Sequence, residues 1–150
     1  MTQWSVSETR AMATRAARGA GIPAAQAALY AGAAVHLLQT PEGPRVLQEA
    51  LQSPAATTGV LTQALCLQPG HFELPADALL CAAIRSLPGH VTIQSQDPVR
   101  AHYAPEAPPR TSFPHRLDVP RALEAFWARA AQKTYVPDSA ASHAGAGAGD

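Results

Sequence analysis

The chain has no asparagine, a single lysine (Lys133) and only two cysteines in 150 residues. Aromatic residues make up 5% and charged residues 15%. These shortages narrow the classes to which it can belong. Ten of the eleven basic residues are arginine, and eleven acidic residues cancel them. A net charge of zero supplies no long-range attraction to nucleic acid or to anionic lipid, so neither is expected as a partner. No stretch reaches the ~18 apolar residues of a membrane span. The polar opening MTQWSVSETR does not read as a secretory leader. Cys66 in ALCLQ and Cys81 in LLCAA lie in apolar settings and read as buried free thiols rather than a disulfide. Reduced thiols point to a cytoplasmic location, and the arginine-over-lysine bias points to a GC-rich bacterial genome.

Apolar residues make up 47% of the chain, much of it alanine. Alanine buries little area, so the core has to come from close packing of small residues around scattered Leu, Val, Ile, Phe and Trp. S-V-S-E at Ser5–Glu8 is the reciprocal capping pattern of a helix start, and the helix is expected to stop at Gly19. Pro23 suits the first turn of a second helix, AAQAALYAGAAVHLLQ, which is apolar almost all round and so reads as the central buried one. RVLQEALQ reads as a short amphipathic helix ended by Ser53-Pro54. GVLTQALCL fits a strand or a helix equally well. Pro69-Gly70 reads as a turn, ADALLCAAIRSL as a helix, and HVTIQSQ as a strand that VRAHY pairs with. An edge strand is expected around Phe113 to Leu117. Asp118 reads as the cap of a last helix, with Val119, Leu123, Phe126, Trp127 and Ala130 on its apolar stripe.

The expected fold is α+β: an N-terminal helical hairpin, a small antiparallel sheet in the middle, and a C-terminal helix followed by a Gly-rich loop. Residues 1–133 read as one globular domain and residues 134–150 as a Ser/Gly-rich loop or tail.

Motif chemistry is sparse. Ala17, Gly21, Ile22 and Ala27 have helix-turn-helix spacing, but the second helix from Pro23 to Gln39 carries no Lys or Arg to anchor phosphates, so a packed hairpin is the better reading. Arg10, Arg15 and Arg18, if they form one basic edge, suit a small acidic ligand. The six histidines show no HxH or HExxH, and there is no CxxC, so no metal site is assigned. His71-x-Glu73 is too short to count, and folding is left free to gather His90, His102 and His115. His36, inside an apolar helix, reads as a core histidine with a satisfied nitrogen. No nucleophile motif and no cofactor fingerprint is present, so neither a reaction nor a cofactor is assigned.

The closing stretch TYVPDSAASHAGAGAGD reads in two ways. Ala-Gly repeats beside a terminus suit a solvated tail. Alternatively, Ser139 and Ser142 lie one helical turn apart, and Gly145, Gly147 and Gly149 can turn successive N–H groups toward an anion.

SVSETRAMATRAARGAG near the start and TYVPDSAASHAGAGAG near the end together resemble an uncharacterised bacterial family, a domain of unknown function. Its members open with Ser-x-Asn-Glu and Lys/Arg-Ala-Ala-Arg-Gly-Ala-Gly, and close with a Val-Pro-x-Ser-x-x-Ser…Gly-Ala-Gly-Ala-Gly pattern. Ser7 replaces the family's Asn, and His143 stands where Arg is usual. The resemblance implies an ordered C-terminal loop and no particular reaction. On it rests the expectation that Arg18, Tyr135, Ser139, Ser142, Gly145 and Gly147 hold a small anionic metabolite, with His143 as the candidate proton carrier. The alternative expectation is a non-catalytic assembly or accessory subunit with a protein partner, in which both motifs are structural.

Overall fold

Ser5 caps the first helix as its spacing predicts. In the computed structural model, which describes residues 1–108 and 112–134, the Ser5 hydroxyl accepts from the Glu8 N–H at 3.2 Å, and the Ser5 N–H donates to the Glu8 carboxylate at 2.7 Å. Helix α1 (Val6–Gly19) then runs to a C-cap at Ala20. The left-handed residue is Gly21, at φ 94°, and not Gly19 as the sequence suggests. The Gly21 N–H donates to Arg18 O and the Ile22 N–H to Ala17 O, both at 3.0 Å, which is a Schellman ending closed by Ile22 against Ala17. Gly19 serves another purpose. A Cβ there would lie 1.8 Å from the Ala130 carbonyl oxygen, so this glycine lets α1 cross the last helix at backbone contact.

Helix α2 (Ala24–Leu37) is the central element, with Ala27, Leu29, Tyr30, Ala31, Gly32, Ala33, Ala34, Val35 and Leu37 all buried. The Ala17–Ala27 spacing belongs to a helical hairpin in which α1 packs against α2. Helix α3 (Gly43–Gln52) follows, and the ambiguous stretch proves helical, as α4 (Pro54–Leu65). Pro54 does not merely end α3. It starts α4, where its missing N–H costs nothing.

Strand β2 (Gly70–Leu74) comes next, where the sequence suggests only a turn. Helix α5 (Ala78–Arg85) is capped by Asp77, whose carboxylate accepts from the Leu80 N–H at 2.8 Å. Strands β3 (His90–Gln96) and β4 (Val99–Ala104) form the expected antiparallel pair, and the sheet order is β2-β4-β3. Its inner face carries Val99, Ala101 and Tyr103, while Glu73 and Arg100 lie outward. A second, two-stranded sheet joins β1 (Thr2–Ser5) to β5 (Arg116–Val119). Neither the polar start nor this pairing is legible in the sequence. The pairing moves the last helix, because Asp118 faces Gln3 across the ribbon and does not cap. Helix α6 (Arg121–Gln132) therefore starts after Pro120, and Val119 belongs to the strand.

The architecture is thus α+β, with six helices and two small antiparallel sheets among the described residues. Helix α1 packs against α2 on one side and α6 on the other, and α5 lies along α2. The core is rich in alanine, as composition demands: Ala13, Ala16, Ala17, Ala27, Ala33, Ala34, Ala64 and Ala83 are fully enclosed. Among the described residues no helix is long and apolar enough to cross a membrane.

Candidate functional site

Gly32 on α2 sets the geometry of the site. A Cβ there would meet Ser86 Cβ and Oγ at 2.7 Å, so only a glycine lets the end of α5 come this close. His36 is four residues further along α2 and shares that face. Arg85 is the residue before Ser86. The close crossing thus brings Arg85 beside His36, its backbone bonded to the ring and its charge felt by it. Phe113, in the segment leading to β5, closes over the imidazole edge-on, with ring centres 4.9 Å apart and planes at 70°.

Three adjoining cavities open around this pair, and His36 and Arg85 line all three. The first, about 390 Å³, is a trough along α5 past Cys81 to Asp77. A second, about 410 Å³, runs toward His90 and Ser112 at the start of β3. The third, about 290 Å³, lies between α1 and the loop after α5, and Arg10 and Phe113 complete it. Among the described residues no carboxylate lines the second or third cavity. Asp77 is the only one among the described residues of the first, and it is engaged in capping α5.

The electrostatics follow from this placement. Burial of the ring, then the Arg85 and Arg10 charges, push His36 from its usual range down to about 4, with the Arg85 backbone acting the other way. The imidazole is therefore neutral at pH 7. Its Nε2 is buried and has no hydrogen-bond partner among the described residues. The expectation of a core histidine is corrected in its burial, because the residue is only half-buried; one nitrogen is satisfied by the Arg85 backbone, as expected, while Nε2 is left without a partner among the described residues. Ion pairs among the described residues involve Arg45 and Arg100, and neither Arg10 nor Arg85 takes part in one. Burial raises the Cys81 thiol, Arg85 offsets this in part and Asp77 adds to it, so Cys81 stays protonated at neutral pH.

Of the residues the sequence nominates, Arg18 is the one within the described part. It lies exposed on the last turn of α1, about 12 Å along the axis from Arg10 at 1.5 Å per residue. Tyr135, Ser139, Ser142, His143, Gly145 and Gly147 lie outside the described residues. Arg10, Arg15 and Arg18 do not form one basic edge, because Arg10 lines the His36 cavity while Arg15 borders a separate one with Trp4 and Met12. The cysteines stay unpaired, but Cys66 is exposed at the C-cap of α4 and Cys81 only partly covered, which corrects the expectation that both are buried. The sequence does hold a signal for the cleft. His36 is the one imidazole in an apolar helix, and Arg85 the one cation in ADALLCAAIRSL. What it does not disclose is that α2 and α5 cross there.

The chain matches no protein-family model, no curated protein and no solved structure.

Proposed function

We propose that this protein binds a small anionic ligand, a carboxylate or phosphate, in the cleft formed by Arg10, His36 and Arg85. The observation that carries this reading is a cavity lined by two guanidiniums and an imidazole where, among the described residues, the guanidiniums make no ion pair, the imidazole Nε2 has no partner and no carboxylate joins the lining. Arg10 and Arg85 are exposed residues that line one cavity, and a bound anion supplies hydrogen-bond acceptors to both guanidinium forks. Neutral His36 can donate a hydrogen bond to the ligand or accept one from it. This is a binding role, and no reaction is assigned.

A second site of the same chemistry belongs to the proposal on sequence grounds alone. Arg18 with the Tyr135–Gly149 segment would use serine hydroxyls and glycine N–H groups for an anion. The family resemblance and a bacterial, cytoplasmic setting stand on the same footing. The alternative, an assembly or accessory subunit, needs an apolar contact surface. Among the described residues the large hydrophobics left exposed are Met1 and Leu65, which do not suggest where such a surface lies.

The test is thermal stabilisation of the full chain by inorganic phosphate and by a panel of short carboxylates. At a ligand concentration of 100 times Kd, binding adds about 2.7 kcal/mol. Replacing Arg10 and Arg85 together by Gln should abolish the shift, while Arg45→Gln, on an exposed ion pair of α3, should keep it. If the double variant still responds but a chain cut after Lys133 does not, the ligand sits on the C-terminal segment and the cleft assignment fails.

A further inference from the structure

The outer face of the three-stranded sheet collects histidines that are far apart in sequence. β2 and β4 pair so that His71 lies directly opposite His102. Directly opposed residues of an antiparallel pair project from the same face. The two imidazole centres are 4.6 Å apart and their planes are tilted by 50°. On the other side of His102, its partner in β3 is Thr92. The Thr92 hydroxyl is 3.1 Å from Nε2 of His90, two residues back on the same strand face. Below the pair, Glu73 and Arg100 are also direct partners and close a 2.7 Å ion pair. That contact ties the two strands together in the register that opposes the histidines, and it occupies the nearest carboxylate.

We propose that His71 and His102 form a two-imidazole site for a divalent transition-metal ion of the Ni²⁺ or Cu²⁺ type. Ring spacing carries the argument. A nitrogen–metal bond of about 2.0–2.1 Å puts the ring centre about 3.2 Å from the ion, taking the zinc–imidazole distance as a guide. Two rings at adjacent, right-angled positions then have centres about 4.5 Å apart, and two rings at a tetrahedral angle about 5.2 Å apart. The observed 4.6 Å lies close to the right-angled case, the arrangement of tetragonal and octahedral ions. Paired strands hold both Cα positions fixed, so little backbone order is lost on chelation. Among the described residues no three His, Cys, Asp or Glu side chains converge as ligands. The site is therefore bidentate, and water or a small exogenous ligand fills the remaining positions. His71-x-Glu73 looked empty in the sequence because the second ligand comes from β4, 31 residues after His71.

The experiment is a Ni²⁺ titration of the full-length protein, followed by calorimetry and by the imidazole NMR signals. Paramagnetic Ni²⁺ should broaden the His71 and His102 rings first, at sub-stoichiometric metal, and those of His36 and His115 last. His71→Ala and His102→Ala should each weaken binding at least tenfold, while His90→Ala changes it less than twofold. Equal broadening of all histidines in the wild-type chain would overturn the site without any variant, so a poorly folded mutant cannot shelter it. An unchanged Ni²⁺ affinity in the folded His71→Ala/His102→Ala double variant would also overturn it.

Discussion

Trp127 donates its indole N–H to the Tyr30 hydroxyl at 3.0 Å, and the Tyr30 hydroxyl donates in turn to the Leu47 carbonyl at 2.9 Å. The relay joins α6, α2 and α3 through side chains that are wholly enclosed. Burial drives the Tyr30 hydroxyl well above its usual range, with the Trp127 contact pulling slightly back, so it stays a neutral donor at any working pH.

Removing the hydroxyl should therefore be costly. In Tyr30→Phe the Trp127 N–H loses its acceptor and Leu47 O loses a donor, both in a space that water does not reach. An orphaned buried group costs about 1–3 kcal/mol, so we expect about 2–3 kcal/mol from chemical denaturation followed by tryptophan fluorescence. A loss under about 0.5 kcal/mol, the range of a neutral surface change, would show that the relay does not hold the helices together.

The two glycines of the Arg-Gly-Ala-Gly turn should differ in cost, because they are glycine for different reasons. At Gly21 nothing lies within 4 Å of an added Cβ, and only the positive φ is penalised. Gly21→Ala should cost about 1 kcal/mol. At Gly19 the added methyl would collide with the Ala130 backbone, so α6 has to move. Overpacking of that kind costs about 1–3 kcal/mol or more, and a backbone obstacle puts Gly19→Ala at the upper end. Melting curves giving the reverse order would contradict the helix crossing.

The contrast between these glycines shows how far the sequence could be read. Local signals were legible: the Ser5–Glu8 cap, the buried α2 and the β3–β4 hairpin each follow from spacing within one segment. Long-range pairings were not. β1 is a polar stretch whose partner β5 lies more than a hundred residues away, and Asp118 looks like a cap until Gln3 faces it. The cleft failed to show for the same reason. His36 and Arg85 are each the odd residue of an apolar helix, yet only the close crossing at Gly32 makes them neighbours. His71 and His102 likewise become a pair only through strand register.

Gly32 gives a test of that crossing which is separate from ligand chemistry. Gly32→Ala would press on Ser86 and lift the end of α5 from α2, carrying Arg85 with it. We expect about 1–3 kcal/mol of destabilisation. The His36 signal should also return toward the ordinary imidazole range, because the ring is freer of both burial and the Arg85 charge. If NMR titration shows His36 unchanged in a destabilised Gly32→Ala protein, the crossing does not set the site.

His36 also ties stability and binding to pH, and the two effects run in opposite directions. The groups around the ring are Arg10 from α1, Arg85, Cys81 and Asp77 from α5, and His90 from β3. In the folded chain His36 titrates at about 4, against 6.5 when unfolded. The unfolded state therefore binds the extra proton between these values. Stability should fall as pH drops from about 6.5 to about 4 and level off below. Solvent at the half-buried ring reduces this to roughly 1–2 kcal/mol, and His36→Gln should remove that share. An anion in the cleft acts the other way. It favours the imidazolium, raises the His36 pKa and brings a proton in with it, so an anion that keeps its own charge constant through the same window, such as sulfate, should bind more tightly as pH falls. Calorimetry in two buffers of different ionisation enthalpy measures that proton directly. Uptake by the wild type that persists undiminished in His36→Gln would place the proton elsewhere, and the anion away from this ring.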